Sequence, residues 1–149
     1  MNRLATMLSI AAAFAAGCGV TYLLRPALAA ENITAQVIHT GEMEGDALGA
    51  ANNVGFRSKM FVSADGATVS IQDGNVPKHL HHNANEMQYI LEGTGTIWLG
   101  DKEVRVKPGD LVVIPKDTPH GGTKPDGRPL KAIAIKTPPQ APDDVKLLN

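Results

Sequence analysis

Cysteine is nearly absent from this chain of 149 residues: Cys18 is the only one, and it lies in an apolar leader. The part that follows therefore has no intramolecular disulfide and no thiolate, so any metal ion it holds must be held by nitrogen and oxygen. Aromatic residues make up only 4% of the chain, which leaves Val, Ile, Leu and Met to build the core. No run of Lys or Arg occurs, and 14 basic against 15 acidic side chains leave a formal charge of −1. A near-neutral chain without a basic stripe gives no footing for nucleic acid. Beyond the leader no segment keeps a helical period over three turns, which excludes a helical bundle. Plentiful Gly (15) and Pro (10) fit a chain of many short strands joined by many turns.

Residues 1–30 differ from the rest. Asn2-Arg3 opens a run that stays apolar from Leu4 to Leu24, and small residues follow at Ala27-x-Ala29. A charged start, an apolar middle and an A-x-A end describe a secretory signal peptide. The run is also about the ~20 residues that span a bilayer, so a retained membrane anchor is an alternative, with Arg25 as its stop. Ala15-Ala16-Gly17-Cys18 resembles a weak lipoprotein box, which would lipidate Cys18. Each alternative places the folded part outside the cytoplasm, in the periplasm or secreted, with membrane contact only if the leader is kept or Cys18 is lipidated. Loss of a leader that carries Arg3 and Arg25 and no acid moves the charge balance from −1 to −3.

Residues 31–54 form an arm and loop, with Gln36–His39 a candidate strand. From residue 55 to 137, short β-branched runs alternate with turn signals. Strands are expected at Arg57–Val62, Thr68–Gln72, Lys78–His82, Met87–Leu91, Thr94–Leu99, Glu103–Val106, Asp110–Ile114 and Leu130–Lys136, with a tight hairpin at Gly100-Asp101. Residues 138–149, with Pro138, Pro139 and Pro142, read as an irregular tail containing at most a short turn. Eight or so short strands in this space predict an all-β sandwich or barrel.

The densest chemistry lies in Pro77-Lys78-His79-Leu80-His81-His82-Asn83-Ala84-Asn85-Glu86. Side chains alternate along a strand, so His79 and His81 share a face while Leu80 and His82 take the other. Imidazoles roughly 7 Å apart on one strand can converge on a single ion. Asn83-Ala84-Asn85 can reverse the chain and bring in Glu86, and His120 can supply a fourth ligand from a third strand. Three imidazoles and a carboxylate suit a divalent transition metal (Fe, Mn, Zn, Ni, Co or Cu) and fit Ca(II) poorly. On an octahedral ion they leave two positions for water, O₂ or a chelating substrate.

The same residues resemble the first motif of the cupin superfamily, G-x5-H-x-H-x3,4-E-x6-G, as Gly74, His79, His81, Glu86 and Gly93, with one residue fewer after Gly74. The second motif, G-x5-P-x-G-x2-H-x3-N, is similar to Gly109, Pro115, Asp117, His120 and Lys124, with Asp117 in place of Gly and Lys124 in place of Asn. The resemblance implies a small single-domain, type 2-like cupin: a jelly-roll or double-stranded β-helix barrel with His79, His81, Glu86 and His120 as metal ligands. It also implies pairing into a homodimer through a sheet face or an exchanged amino-terminal strand.

Around the site, Gln88 shares the parity of Glu86 and is expected to point inward, as a candidate catalytic residue that hydrogen-bonds water or substrate, or as a satisfied polar residue of the pocket wall. Tyr89 has the opposite parity and is expected in sheet packing, Trp98 in core or interface packing, and His82 in solvent. Lys124 would lie near the barrel mouth, where it attracts an anion or is simply solvated. His39, Arg57, Lys59 and Lys131 are candidates to line or rim the pocket.

A fold and a metal do not name a reaction. The leading expectation is a metalloenzyme acting on a small organic molecule, an oxygenase with Fe(II) or Mn(II) favoured. A non-oxidative isomerase or lyase is the second reading, and an exported binder of a metal or a chelated ligand, without turnover, is the third.

Overall fold

Val, Ile and Thr recur through the middle of the chain in runs too short for helices, and these runs become the strands of two five-stranded sheets. In the computed structural model, residues 33–148 are described, Asp65 excepted. The strands are β1 (Arg57–Ala64), β2 (Ala67–Asp73), β3 (His79–His81), β4 (Asn85–Glu92) and β5 (Gly95–Leu99). They continue with β6 (Lys102–Val106), β7 (Leu111–Ile114), β8 (His120–Pro125), β9 (Lys131–Thr137) and β10 (Val145–Leu147). One sheet runs β1-β2-β9-β4-β7 and the other β10-β3-β8-β5-β6, with all neighbouring strands antiparallel.

The pairing is nested. β5 pairs with β6, β4 with β7, β3 with β8 and β2 with β9, so the chain forms one long ribbon doubled back at a tight turn and rolled into a barrel. That turn is Gly100-Asp101, between the paired residues Leu99 and Lys102, and Gly100 takes the positive φ of 68° that such a two-residue loop requires. The all-β jelly-roll expectation agrees with this architecture. A wholly aliphatic cluster of Ile90, Ile97, Val106, Val112, Ile114, Leu130 and Ala132 fills the space between the sheets.

Three sequence expectations change. Gln36–His39 forms no strand; two short 3-10 turns, Thr40–Glu42 and Gly45–Leu48, follow it, and the second packs on β1 and β2 and buries Leu48. The tail forms β10, which pairs with β3 so that Val145 faces His81 and Leu147 faces His79. His120–Pro125 is a strand despite two glycines, because the close approach of its neighbours outweighs β-propensity there. The expected leader helix and Cys18 lie outside the described residues, and among those that are described no helix is long and apolar enough to cross a membrane.

Candidate metal centre

Parity in β3 directs His79 and His81 inward from adjacent turns of the pleat, and both are buried. Antiparallel pairing places His120, the first residue of β8, directly opposite His79. The turn between β3 and β4 carries Glu86 back to the same point. One ligand atom from each of His79, His81, Glu86 and His120 lies within 4.8 Å of all the others, so the four residues could hold a metal ion. Glu86 and His120 are each only 1% exposed, so water cannot solvate the charge gathered here.

The hydrogen bonds fix which nitrogens face the centre. His79 Nδ1 lies 2.8 Å from the Pro77 carbonyl and His120 Nδ1 lies 2.9 Å from the Thr118 carbonyl. A carbonyl only accepts, so each Nδ1 carries the proton and a neutral ring presents a bare Nε2. His120 Nε2 is 3.2 Å and His81 Nε2 3.0 Å from the same oxygen, Glu86 Oε2, which also only accepts. For His120, whose proton sits on Nδ1, a bare nitrogen and a carboxylate oxygen at that distance repel unless a cation, either a proton or a metal ion, is shared between them; His81, whose Nδ1 has no hydrogen-bond partner, can donate from Nε2. His79 is a poor holder of that proton: burial, reinforced by the neighbouring His120, lowers its pKa to about 4. The donor set thus fits a divalent ion.

The second oxygen of the carboxylate is held from outside the centre. Gln88 Nε2 donates to Glu86 Oε1 at 2.9 Å, and Lys136 Nζ lies 3.5 Å from the same oxygen. Burial alone would push the Glu86 pKa up; contacts with His120 and His81, with Lys136 and Gln88 behind them, hold it well below the usual carboxylate range. Gln88 points inward as its parity requires, and its amide orients Glu86.

The tail adds a buried carboxylate. Asp144 Oδ1 accepts from Asn83 N (2.7 Å) and Oδ2 from Ala84 N (3.2 Å), which ties the β3–β4 turn to the strand that covers β3. Its Oδ2 also lies 3.5 Å from His81 Nδ1, a buried atom with no hydrogen-bond partner. On the other side, Gly121 lies so close to β3 that a Cβ there would sit 2.5 Å from the Pro77 carbonyl and 3.2 Å from His79 Nδ1. Asp117, at the position where the cupin motif has Gly, takes the positive φ of 61° that explains the motif's choice. It donates its N–H to the His81 carbonyl (2.7 Å) and its side chain pairs with exposed His82.

A cavity of about 570 Å³ opens onto His79 and His81. None of His39, Arg57, Lys59 or Lys131 lines it. His39 and Lys59 are exposed, Arg57 donates to the Gly49 carbonyl (2.6 Å), and Lys131 is buried elsewhere against Glu92 (2.9 Å). The lysine that does line it is Lys136, which with Asp144 escaped the sequence reading. Lys124 pairs with Glu103 on the surface, Tyr89 is exposed and not packed, and Trp98 lies under Lys78 Nζ, 3.8 Å from the ring centre.

Comparison with known proteins agrees with this geometry. Residues 67–136 match the family model described as "Cupin domain". An uncharacterized protein of Methanocaldococcus jannaschii is 37% identical over 71 residues, which are 48% of this chain and 57% of that protein. Acireductone dioxygenase of Exiguobacterium sibiricum is 30% identical over 88 residues, covering 54% of this chain and 49% of the enzyme. The chain thus spans about half the length of the curated relatives it matches. An uncharacterized Klebsiella pneumoniae protein with a double-stranded β-helix domain superposes with a TM-score of 0.59 at 13% identity, over 72% of this chain and 97% of that one.

Proposed function

Because residues 67–136 form a small cupin domain, we propose that this protein is a mononuclear metalloenzyme, an oxygenase acting on a small organic molecule. The observation that carries the reading is the gathering of ligand atoms of His79, His81, Glu86 and His120 within 4.8 Å of one another, with the bare nitrogen of His120 turned on a buried Glu86 oxygen. His79, His81, Glu86 and His120 would hold one divalent ion, Fe(II) or Mn(II) being favoured for the redox chemistry an oxygenase needs. When bound, such an ion supplies Lewis-acid and one-electron chemistry to a chelating substrate.

The chain's own residues do the rest. The Pro77 and Thr118 carbonyls fix the tautomers of His79 and His120, and Gln88 and Lys136 keep Glu86 ionised and turned inward. The cavity walls, with Val76, Val145 and Leu147 among them, offer an apolar surface to the body of a small organic molecule. Support for oxygen chemistry comes from the relative named as a dioxygenase, at low identity and over half its length.

Two measurements test the proposal. Elemental analysis of natively purified protein should find about one redox-active ion per chain; stoichiometric zinc would favour isomerase, lyase or binding roles. Oxygen uptake under Fe(II) loading, with diols, thiols and flavonoids as substrates, should exceed the blank for at least one class, and a uniformly flat panel would sink the oxygenase.

Two further parts of the proposal concern the setting. Export rests on the leader pattern of residues 1–30, and fractionation that leaves the protein in the cytoplasm would overturn it. Homodimer formation is supported by Tyr89, Leu111, Val113 and Ile135, which alternate with inward-facing residues and leave an apolar outer sheet face in solvent. Light scattering at micromolar concentration that returns a monomer would remove this part.

A further inference from the structure

Lys136 is buried without the close partner that such a residue ordinarily has. Its side chain is 7% exposed, and strand register fixes it opposite Glu86 on β4 and Thr68 on β2. Its nearest carboxylate oxygen, Glu86 Oε1, lies 3.5 Å away and already takes the Gln88 amide at 2.9 Å. The other Glu86 oxygen is turned to two imidazoles. Lys131 shows the ordinary solution, equally buried but hydrogen-bonded to Glu92 at 2.9 Å. Its remaining donors lie at the cavity wall, where Thr68, Ser70 and Gln72 offer neutral acceptors but no second carboxylate balances the charge.

The cavity provides no such acceptor of negative charge. Among the described residues that line it there is no Asp or Glu, and its charged or titratable members are His79, His81 and Lys136. Asp144 lies behind His81 and spends its oxygens on the backbone N–H groups of Asn83 and Ala84. A divalent ion on three neutral imidazoles and one carboxylate would leave a net charge of +1 and Lys136 would make it +2, with the Asp144 carboxylate behind His81 bringing the surroundings to +1. The rest of the wall is largely apolar, with Val54, Phe56, Met60, Val76 and Leu147.

We propose that Lys136 is the anion-binding residue of this cavity, which takes a small organic anion, a carboxylate or an ionised enol, whose apolar body lies against the Val54, Phe56, Met60 and Val76 wall. The metal-site reading supplies half of the positive charge, so the inference rests on it in part; the lone buried ammonium supplies the other half independently. Glu86 is then shared, Lys136 serves the ligand first and the carboxylate second, and neutral analogues of the ligand bind poorly.

The test uses the full chain loaded with zinc, which keeps oxygen chemistry silent, and calorimetric titration with three chelating acids (4-methyl-2-oxopentanoate, phenylpyruvate and mandelate), each against its methyl ester. The parent should bind at least one acid ten-fold or more tightly than its ester. With zinc occupancy brought level by added metal, Lys136→Met should lose that ten-fold for the acid and leave the ester unchanged; Lys136→Arg should restore most of the preference. Lys136→Gln, neutral and hydrogen-bonding, serves the same purpose where Lys136→Met does not fold. A zinc-loaded parent that does not distinguish acids from esters overturns the proposal, as does a neutral variant that keeps the preference. A parent that takes up no zinc overturns the metal reading instead; an acid preference that persists there and vanishes in Lys136→Met still upholds the anion assignment.

Discussion

His81 meets two carboxylates at once, Glu86 through Nε2 and Asp144 on the side of Nδ1. His81→Ala should therefore weaken metal binding by more than the roughly 10–100-fold typical of losing an outer partner of a metal ligand. His82→Ala, whose ring is exposed and meets only Asp117, should leave metal content unchanged; elemental analysis after dialysis reads both. Gly121→Ala should cost stability and metal affinity together, because its Cβ collides with the carbonyl that orients His79. Gly100→Ala, also at positive φ but in open space, should cost about 1 kcal/mol in a denaturant titration and leave metal affinity alone.

Protonation provides another residue-scale test. His79 titrates near 4 in the fold against 6.5 for an ordinary histidine, so between those values the unfolded chain binds more protons than the folded one. Stability of chelator-treated protein should accordingly fall as pH drops from 7 towards 4, by on the order of 3 kcal/mol from this group. Glu86, held below its ordinary 4.5, adds loss of the same sign below that pH. Denaturant midpoints at pH 7, 5.5 and 4 measure the slope, and a flat profile would contradict the buried, neutral His79. The gathering of these four residues was legible because H-x-H in a strand followed by a turn and Glu admits few geometries. Lys136 and Asp144 were not, since each is defined by a partner that only tertiary pairing provides.

At the scale of elements, β9 shows why Lys136 escaped notice. In Lys131–Thr137 the sequence alternates Ala with Ile, and size alone would put Ile inside. The structure does the opposite: Ala132, Ala134 and Lys136 are buried, and Ile135 faces solvent. Small residues face inward there because polar side chains from β2 and β4 already fill that end of the barrel. β10 was illegible for another reason, since three residues among prolines carry no strand signal until β3 offers an edge. Its link to the site is Asp144. Asp144→Asn keeps the size but removes the charge beside His81, and metal affinity should fall about 10-fold or more, by analogy with other outer partners of histidine ligands. Competition with a coloured chelator reads this, and an unchanged affinity would reduce Asp144 to a turn cap.

At the scale of the whole molecule, the aliphatic cluster of Ile90, Ile97, Val106, Val112 and Ile114 contains no metal ligand. Chelation should therefore leave the far-ultraviolet circular dichroism spectrum of the barrel intact and lower the melting temperature only by the binding energy lost. Collapse of the sheet signal on chelation would mean that the ion nucleates the fold. Eight of the ten strands and the hairpin at Gly100-Asp101 were readable from turn chemistry, whereas the nesting of partners around that hairpin was not, because distant strands carry no local mark of which neighbour they take.

That nesting also sets a schedule. β9 enters between β2 and β4, two strands that precede it by some forty to sixty positions, and it brings Lys136 opposite Glu86. A polypeptide emerging from a ribosome or a translocation pore would expose His79, His81, Glu86 and His120 well before residues 131–137 arrive to close the sheet around them. Capture of an ion by all four residues in a closed site would thus await the late insertion of a single strand, and a nascent segment halted ahead of it would present them on an open, water-filled trough.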